Sequence, residues 1–398
     1  MSRVRRFWPL LGLLLVAASL WWWFHPKPPE QILRLGKEAL GRNDLDDAEY
    51  QVGRLEEAGA FDAAHLLSAL ILLSQARSQP SSSQQSRALC QQALARLNRI
   101  QDQGEIRREA ISLCGQCYLQ LGNWNEAERA FQFLLQQHPD DLDAHRGLAA
   151  VTFDLGLFSR TVPHCREWAR LDPEDGRPHR LMGMVFKDLS RIDEAIPCYQ
   201  DALARHLAAT VKEEVRLELA ECHIRQRDYQ QALDTLQNCA PPAALLPKLL
   251  VLEAESFVAQ GKIDQARSRL EKARRIQPDY PDALRLEAKL RLHADENRAA
   301  ADLLEKAAQL EPANYACRYL LAQAYNGLNR PADAKEQLRL AEEIKSNLDA
   351  LSKLGHEIME HPKDSARRLR MAELYQKLHM PEMAARNRRL AEILAKPR

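Results

Sequence analysis

The sequence predicts an all-α solenoid of stacked helix pairs preceded by one transmembrane helix. Three observations carry this. Leu, Ala, Arg, Glu and Gln, all good helix formers, dominate the 398 residues, whereas Gly numbers only 15 and Val, Ile, Tyr and Phe are sparse. Small residues recur 34 positions apart at Gly115, Ala149 and Gly183 and, after a three-residue insertion, at Ala220, Ala254, Ala288 and Ala322. The stretch 7–24 runs 18 residues without a charge. Apolar residues make up 45% of the chain, enough for a packed core. Basic and acidic residues balance at 56 and 55, so the global positive field of a nucleic-acid partner is missing.

The N-terminus comes first in chain order. Residues 1–6 form a basic flank with Arg3, Arg5 and Arg6, and residues 7–24 follow as a signal-anchor ending in Trp21, Trp22, Trp23 and Phe24. As a helix this run is about 27 Å long, near the thickness of a bilayer core. The Trp cluster suits the headgroup boundary. The basic flank is expected to stay cytoplasmic and to place the rest outside the cytoplasm. A cleaved signal peptide is the rival, since Ala17, Ala18 and Ser19 offer a small-residue site. That cut would leave a mature chain beginning with Leu and three Trp, so the uncleaved anchor is preferred. Residues 25–29, with Pro26, Pro28 and Pro29, read as a stiff spacer.

The repeats follow. A second small-residue series stands 12 positions after the first, at Ala127, Thr161, Ala195, Ala232, Ala266, Ala300 and Ala334. Pro139, Pro173, Pro278 and Pro312 close several units. The unit at 108–141 is the clearest, with Ile111, Cys114, Gly115 and Tyr118 on one helix and Trp124, Ala127, Phe131 and Leu134 on the next. Three in-register series at this period resemble the tetratricopeptide repeat family. The resemblance implies a right-handed α-solenoid with a concave face that binds protein or peptide. It covers 108–344 as a core array, extends to divergent repeats over 30–107, and ends in a repeat over 365–398. Residues 345–364 are an extended second helix or an extra one. Ten units result, with Ala88 taken as the second small residue of the second unit.

Helix physics supports the pattern on its own terms. The spacing of Ile111, Cys114, Gly115 and Tyr118 defines one apolar helix face. Small residues let paired helices approach closely, and Pro ends a helix because it cannot continue the hydrogen-bond ladder. Asn123 with Glu126, and Asp228 with Gln231, have the spacing of capping boxes. Each pair exposes an apolar face until the next one stacks on it.

Cys114 and Cys117 have the spacing of redox and metal motifs. They share a helix turn, too far apart for an unstrained disulfide, and neither a following His nor a second such pair occurs. Packing is their expected role. The other cysteines scatter, and Cys222 with Cys239 is the pair best placed for a bridge. No phosphate-loop, zinc-protease or nucleophile-elbow motif is present. The expectation is therefore a binding protein rather than an enzyme, with no cofactor and no bound metal.

What the resemblance implies about the partner surface falls on first-helix positions. In this sequence these are Arg146, Phe153, Arg177, Arg180, Met184, Lys187, Arg285 and Lys289. The expected partner is a protein or peptide with an acidic or C-terminal segment, met by a membrane-anchored scaffold outside the cytoplasm. A purely structural subunit acting through oligomerisation is the alternative, and a thiol-redox protein a more distant one. Asp143, Asp154 and Asp188 dilute the positive charge.

Overall fold

The computed structural model describes residues 27–80, 83–361 and 364–395. The expected anchor at 7–24 lies outside them. Among the described residues no helix is long and apolar enough to cross a membrane. Regular structure there is helical, apart from one isolated bridge between Asp175 and His206.

Twenty α-helices form ten pairs among the described residues. They fall into two compact units that divide after Val151. The first unit holds α1 (Pro29–Gly41), α2 (Leu45–Glu57), α3 (Phe61–Arg77), α4 (Gln84–Leu97), α5 (Glu105–Leu121), α6 (Trp124–Gln137) and most of α7 (Leu142–Asp154). The second begins with the end of α7. It continues through α8 (Phe158–Leu171), α9 (Arg177–Asp188), α10 (Ile192–Leu203), α11 (Ala209–Arg225), α12 (Tyr229–Gln237), α13 (Leu246–Ala259) and α14 (Ile263–Ile276). It closes with α15 (Pro281–His293), α16 (Asn297–Leu310), α17 (Tyr315–Gly327), α18 (Pro331–Glu360), α19 (Ser365–Lys377) and α20 (Pro381–Ala395).

The two small-residue series sit where the helices of each pair touch. In the first unit Ala48, Ala127 and Ala149 are fully buried, as are Ala195, Ala220, Ala232, Ala254 and Ala266 in the second. Gly36 faces Leu67 so closely that a Cβ would lie 2.3 Å from the leucine Cδ2. Around these contacts, Leu66, Leu73, Cys90, Leu97 and Leu113 form a core in the first unit. Leu217, Leu236, Leu249, Leu250 and Leu270 do so in the second.

Three local expectations need correcting or completing. Ala88 is exposed, and the small residue buried at the start of α4 is Ser86, whose hydroxyl donates to the Ala76 carbonyl at 3.1 Å. Two residues apart on a helix, Ser86 and Ala88 point about 200° from one another, so only one of them can face the core. Asn123 makes no side-chain cap, whereas the Asp228 carboxylate accepts from the Gln231 N–H at 3.3 Å. A carboxylate is the better acceptor at the positive end of a helix dipole. Residues 345–360 continue α18, a single helix of 30 residues, so no extra helix is inserted there.

A further periodic feature appears in the turns between paired helices. Gly122, Gly156, Ser190, Arg227, Gly261, Asp295 and Asn329 all adopt left-handed backbone with φ between 56° and 75°. They keep the 34-residue spacing and the same three-residue insertion. The insertion itself lengthens the loop before α11. There the His206 N–H donates to Glu174 O at 2.8 Å, and the Gly176 N–H to His206 O at 3.0 Å.

Candidate binding surface

The positions singled out in α9 lie on one helix face, because residues seven apart return to the same side. Arg180 donates through Nη2 to Glu214 and to Glu218 of α11, each at 2.8 Å. Lys187 lies 3.1 Å from Glu221 of α11, and Lys248 of α13 reaches the same carboxylate at 2.5 Å. Three successive first helices are thus joined by a strip of alternating charge. Met184 stands half-buried between Arg180 and Lys187 in α9.

The electrostatics follow from this pairing. Burial alone would lower the Arg180 pKa, but Glu218 and Glu214 outweigh it and raise it above the usual value. Burial pushes the Glu221 carboxyl up, and Lys187 and Lys248 more than reverse that, so it titrates below the usual glutamate range. Both cations are therefore matched inside the chain.

The remaining predicted residues behave differently. Arg177 grips Asp175 through Nη2 at 2.6 Å and stacks 5.3 Å above the Trp168 ring. Trp168 donates its indole N–H to the same carboxylate at 3.0 Å. This knot holds the turn from α8 to α9, so Arg177 has a structural task. Arg285 pairs with Asp282 at 2.7 Å, and Lys289 is exposed. Phe153 packs its ring 5.9 Å from that of Phe158. Arg146 lies in the first compact unit, half-buried beside Asp143 at 3.5 Å.

A family profile described as tetratricopeptide repeat matches residues 115–176, 180–243 and 251–308, and a second profile of the same description matches 291–354. The chain belongs to the tetratricopeptide repeat family. A curated relative, cellulose synthase operon protein C of Komagataeibacter sucrofermentans, is 34% identical over 90 residues. That match covers 23% of this chain and only 7% of the relative's length. Among solved structures, the apo form of RapI is similar at a TM-score of 0.61 and 10% identity, covering 81% of this chain and 98% of that one. YrrB, described as a TPR protein with an unusual peptide-binding site, reaches a TM-score of 0.40 at 16% identity, covering 48% of this chain and 97% of its own. The likeness to RapI shows the fold alone.

Within the tetratricopeptide array, sequence reasoning missed Glu214, Glu218, Glu221 and Lys248. A signal was present. Glu214 lies 37 residues after Arg177, Lys248 34 after Glu214, and Glu221 37 after Met184, so each repeats a predicted position in a following unit. Counting acids there as well as bases would have shown a balanced strip. Tetratricopeptide repeats suggest a protein-interaction scaffold, and a balanced strip of this kind is compatible with one.

The cysteines take core or near-core places in the repeats. All eight are free thiols, and Cys222 and Cys239, the pair best placed for a bridge, form none. Cys239 instead contacts the Glu213 carbonyl, Sγ to O, at 3.8 Å. Burial pushes the Cys114 thiol up to about 11 and Cys117 higher still.

Proposed function

We propose that this tetratricopeptide protein is a membrane-tethered scaffold, not an enzyme, and that its first-helix strip holds a protein or peptide segment outside the cytoplasm. One observation carries the reading. The ion pairs Arg180–Glu214, Arg180–Glu218, Lys187–Glu221 and Lys248–Glu221 join three consecutive first helices at positions the core does not use. The side chains of Arg180 and Lys187 stay 21% and 18% exposed, so the strip is reachable yet partly dry. An acidic or C-terminal segment would bind by exchanging its carboxylates for Glu214 or Glu221, with Met184 as the apolar floor. Arg146, Phe153, Arg285 and Lys289 hold family positions of their own repeats, whereas Arg177 is taken up by Asp175. The tether rests on the uncharged run at 7–24 and its Trp boundary.

Affinity capture from native membranes with the intact chain tests both parts. The protein should stay in the membrane fraction after salt and alkaline carbonate. A partner retained by the wild type should be lost by Arg180→Glu with Lys187→Glu while helicity is kept. Equal retention by the folded variant would remove the strip from the reading, and a mature N-terminus at Leu20 would remove the tether.

An assembly role has its own supporting observation. Tyr315 and Tyr319 are 41% and 43% exposed, one turn apart on α17. A concentration-dependent oligomer abolished by Tyr319→Glu would favour it.

A further inference from the structure

A cavity of about 540 Å³ lies in the second compact unit, between the turns at 153–158 and 188–190 and the helices α18, α19 and α20. Its size is that of a small-ligand site. Phe153, Phe158, Leu351, Met371 and Leu390 supply apolar lining, and Arg368, Arg386, Asn387 and Tyr375 supply polar lining.

Arg368 is the unusual group. It is only 5% exposed, and its Nε has no hydrogen-bond partner. Its Nη1 reaches Asn387 Oδ1 at 3.5 Å, too long for a strong bond. No carboxylate among the described residues pairs with it. Burial, and then the neighbouring charge of Arg386, press its pKa down to about 10, which leaves it cationic at neutral pH. Arg386 is also lowered by burial, with Asp154 opposing the fall, and its Nη2 lies 3.5 Å from the Phe153 carbonyl. Asp188 lines the cavity as an exposed carboxylate.

Removing a cation from water without a counter-charge is costly, and two neighbouring guanidiniums make it more so. Asp154 acts on Arg386 and Asp188 stands at the cavity rim, whereas Arg368 keeps no carboxylate partner among the described residues, so the site lacks one negative charge, which suits one carboxylate better than a phosphate dianion. The planar guanidinium fork matches a carboxylate, and the apolar lining matches a hydrocarbon or aromatic body. We propose that this cavity binds a monocarboxylate carried on an apolar body, with the carboxylate held by Arg368 and Arg386. This site adjoins the end of α9 through Asp188, but Arg368 and Arg386 belong to α19 and α20 and take no part in the ion-paired strip.

The full chain in lipid nanodiscs should be titrated calorimetrically with two acids and their amides. 3-Phenylpropionate represents a free organic acid, and N-acetyl-leucyl-phenylalanine represents a peptide terminus. At least one acid should bind, its amide about tenfold or more weaker, and the tighter acid identifies the source. Arg368→Met should weaken the acid by about tenfold or more without lowering the melting temperature, because it removes an unpaired buried charge. Arg386→Met, at a half-buried position, should also weaken it and carries the test if the first variant folds poorly. Absence of binding by both acids, equal affinity for acid and amide, or unchanged affinity in the folded variants would overturn the proposal.

Discussion

The ring of Phe131 occupies the space that a side chain on Gly147 would need. A Cβ at that position would stand 2.3 Å from Cζ, and one at Gly115 would stand 2.5 Å from the same atom. Phe131 is fully buried, so it has no room to retreat. Gly147→Ala should destabilise the protein by about 1–3 kcal/mol through overpacking. Urea unfolding measures it, and an unchanged midpoint would mean that α7 can shift away from α6 at little cost.

Arg227 holds a left-handed backbone at φ 65° and is exposed. An L side chain there carries a steric cost that glycine does not. Arg227→Gly should therefore stabilise the protein by about 0.5–1 kcal/mol, although the same change within a helix would weaken it. Thermal melting of the variant decides the sign.

Glu221 is held by Lys187 and Lys248 and titrates below the ordinary glutamate value of 4.5. A depressed carboxyl contributes stability that is complete above its unfolded pKa and is lost as pH falls through the folded one. The urea midpoints of wild type and Glu221→Gln should differ by a constant amount between about pH 7 and pH 5, then converge below about pH 4. A difference that persisted undiminished at low pH would show that packing, not charge, carries the contribution.

The thiols at 114 and 117 should be chemically quiet. With Cys114 at about 11 and Cys117 higher, the thiolate population near neutral pH is very small. Iodoacetamide should modify both slowly in the native protein and rapidly after denaturation. Cys114→Ser with Cys117→Ser should keep partner capture intact at a cost of roughly 1–2 kcal/mol. Loss of capture in a folded double variant would restore a thiol role.

The sequence by itself determined the helix pairs, their period and most of their core. Ala127, Ala220 and Phe131 are legible because burial demands a volume at a fixed place on a helix face, and volume is written in residue type. It missed Ser86, since Ala88 offered a small side chain two residues on, on the opposite face of α4. It missed the left-handed turn series because only some of its members are glycine, and the turn geometry imposes φ on Ser190 and Arg227 regardless of identity. Only the tertiary structure decided what the charges do. Arg180 and Glu218 belong to different repeats, and their meeting depends on how one pair stacks on the next. The cavity lies further still from local reasoning. Arg386 meets the Phe153 carbonyl across 233 positions of sequence. That contact depends on the rotation accumulated at every intervening helix interface, and no single repeat encodes it.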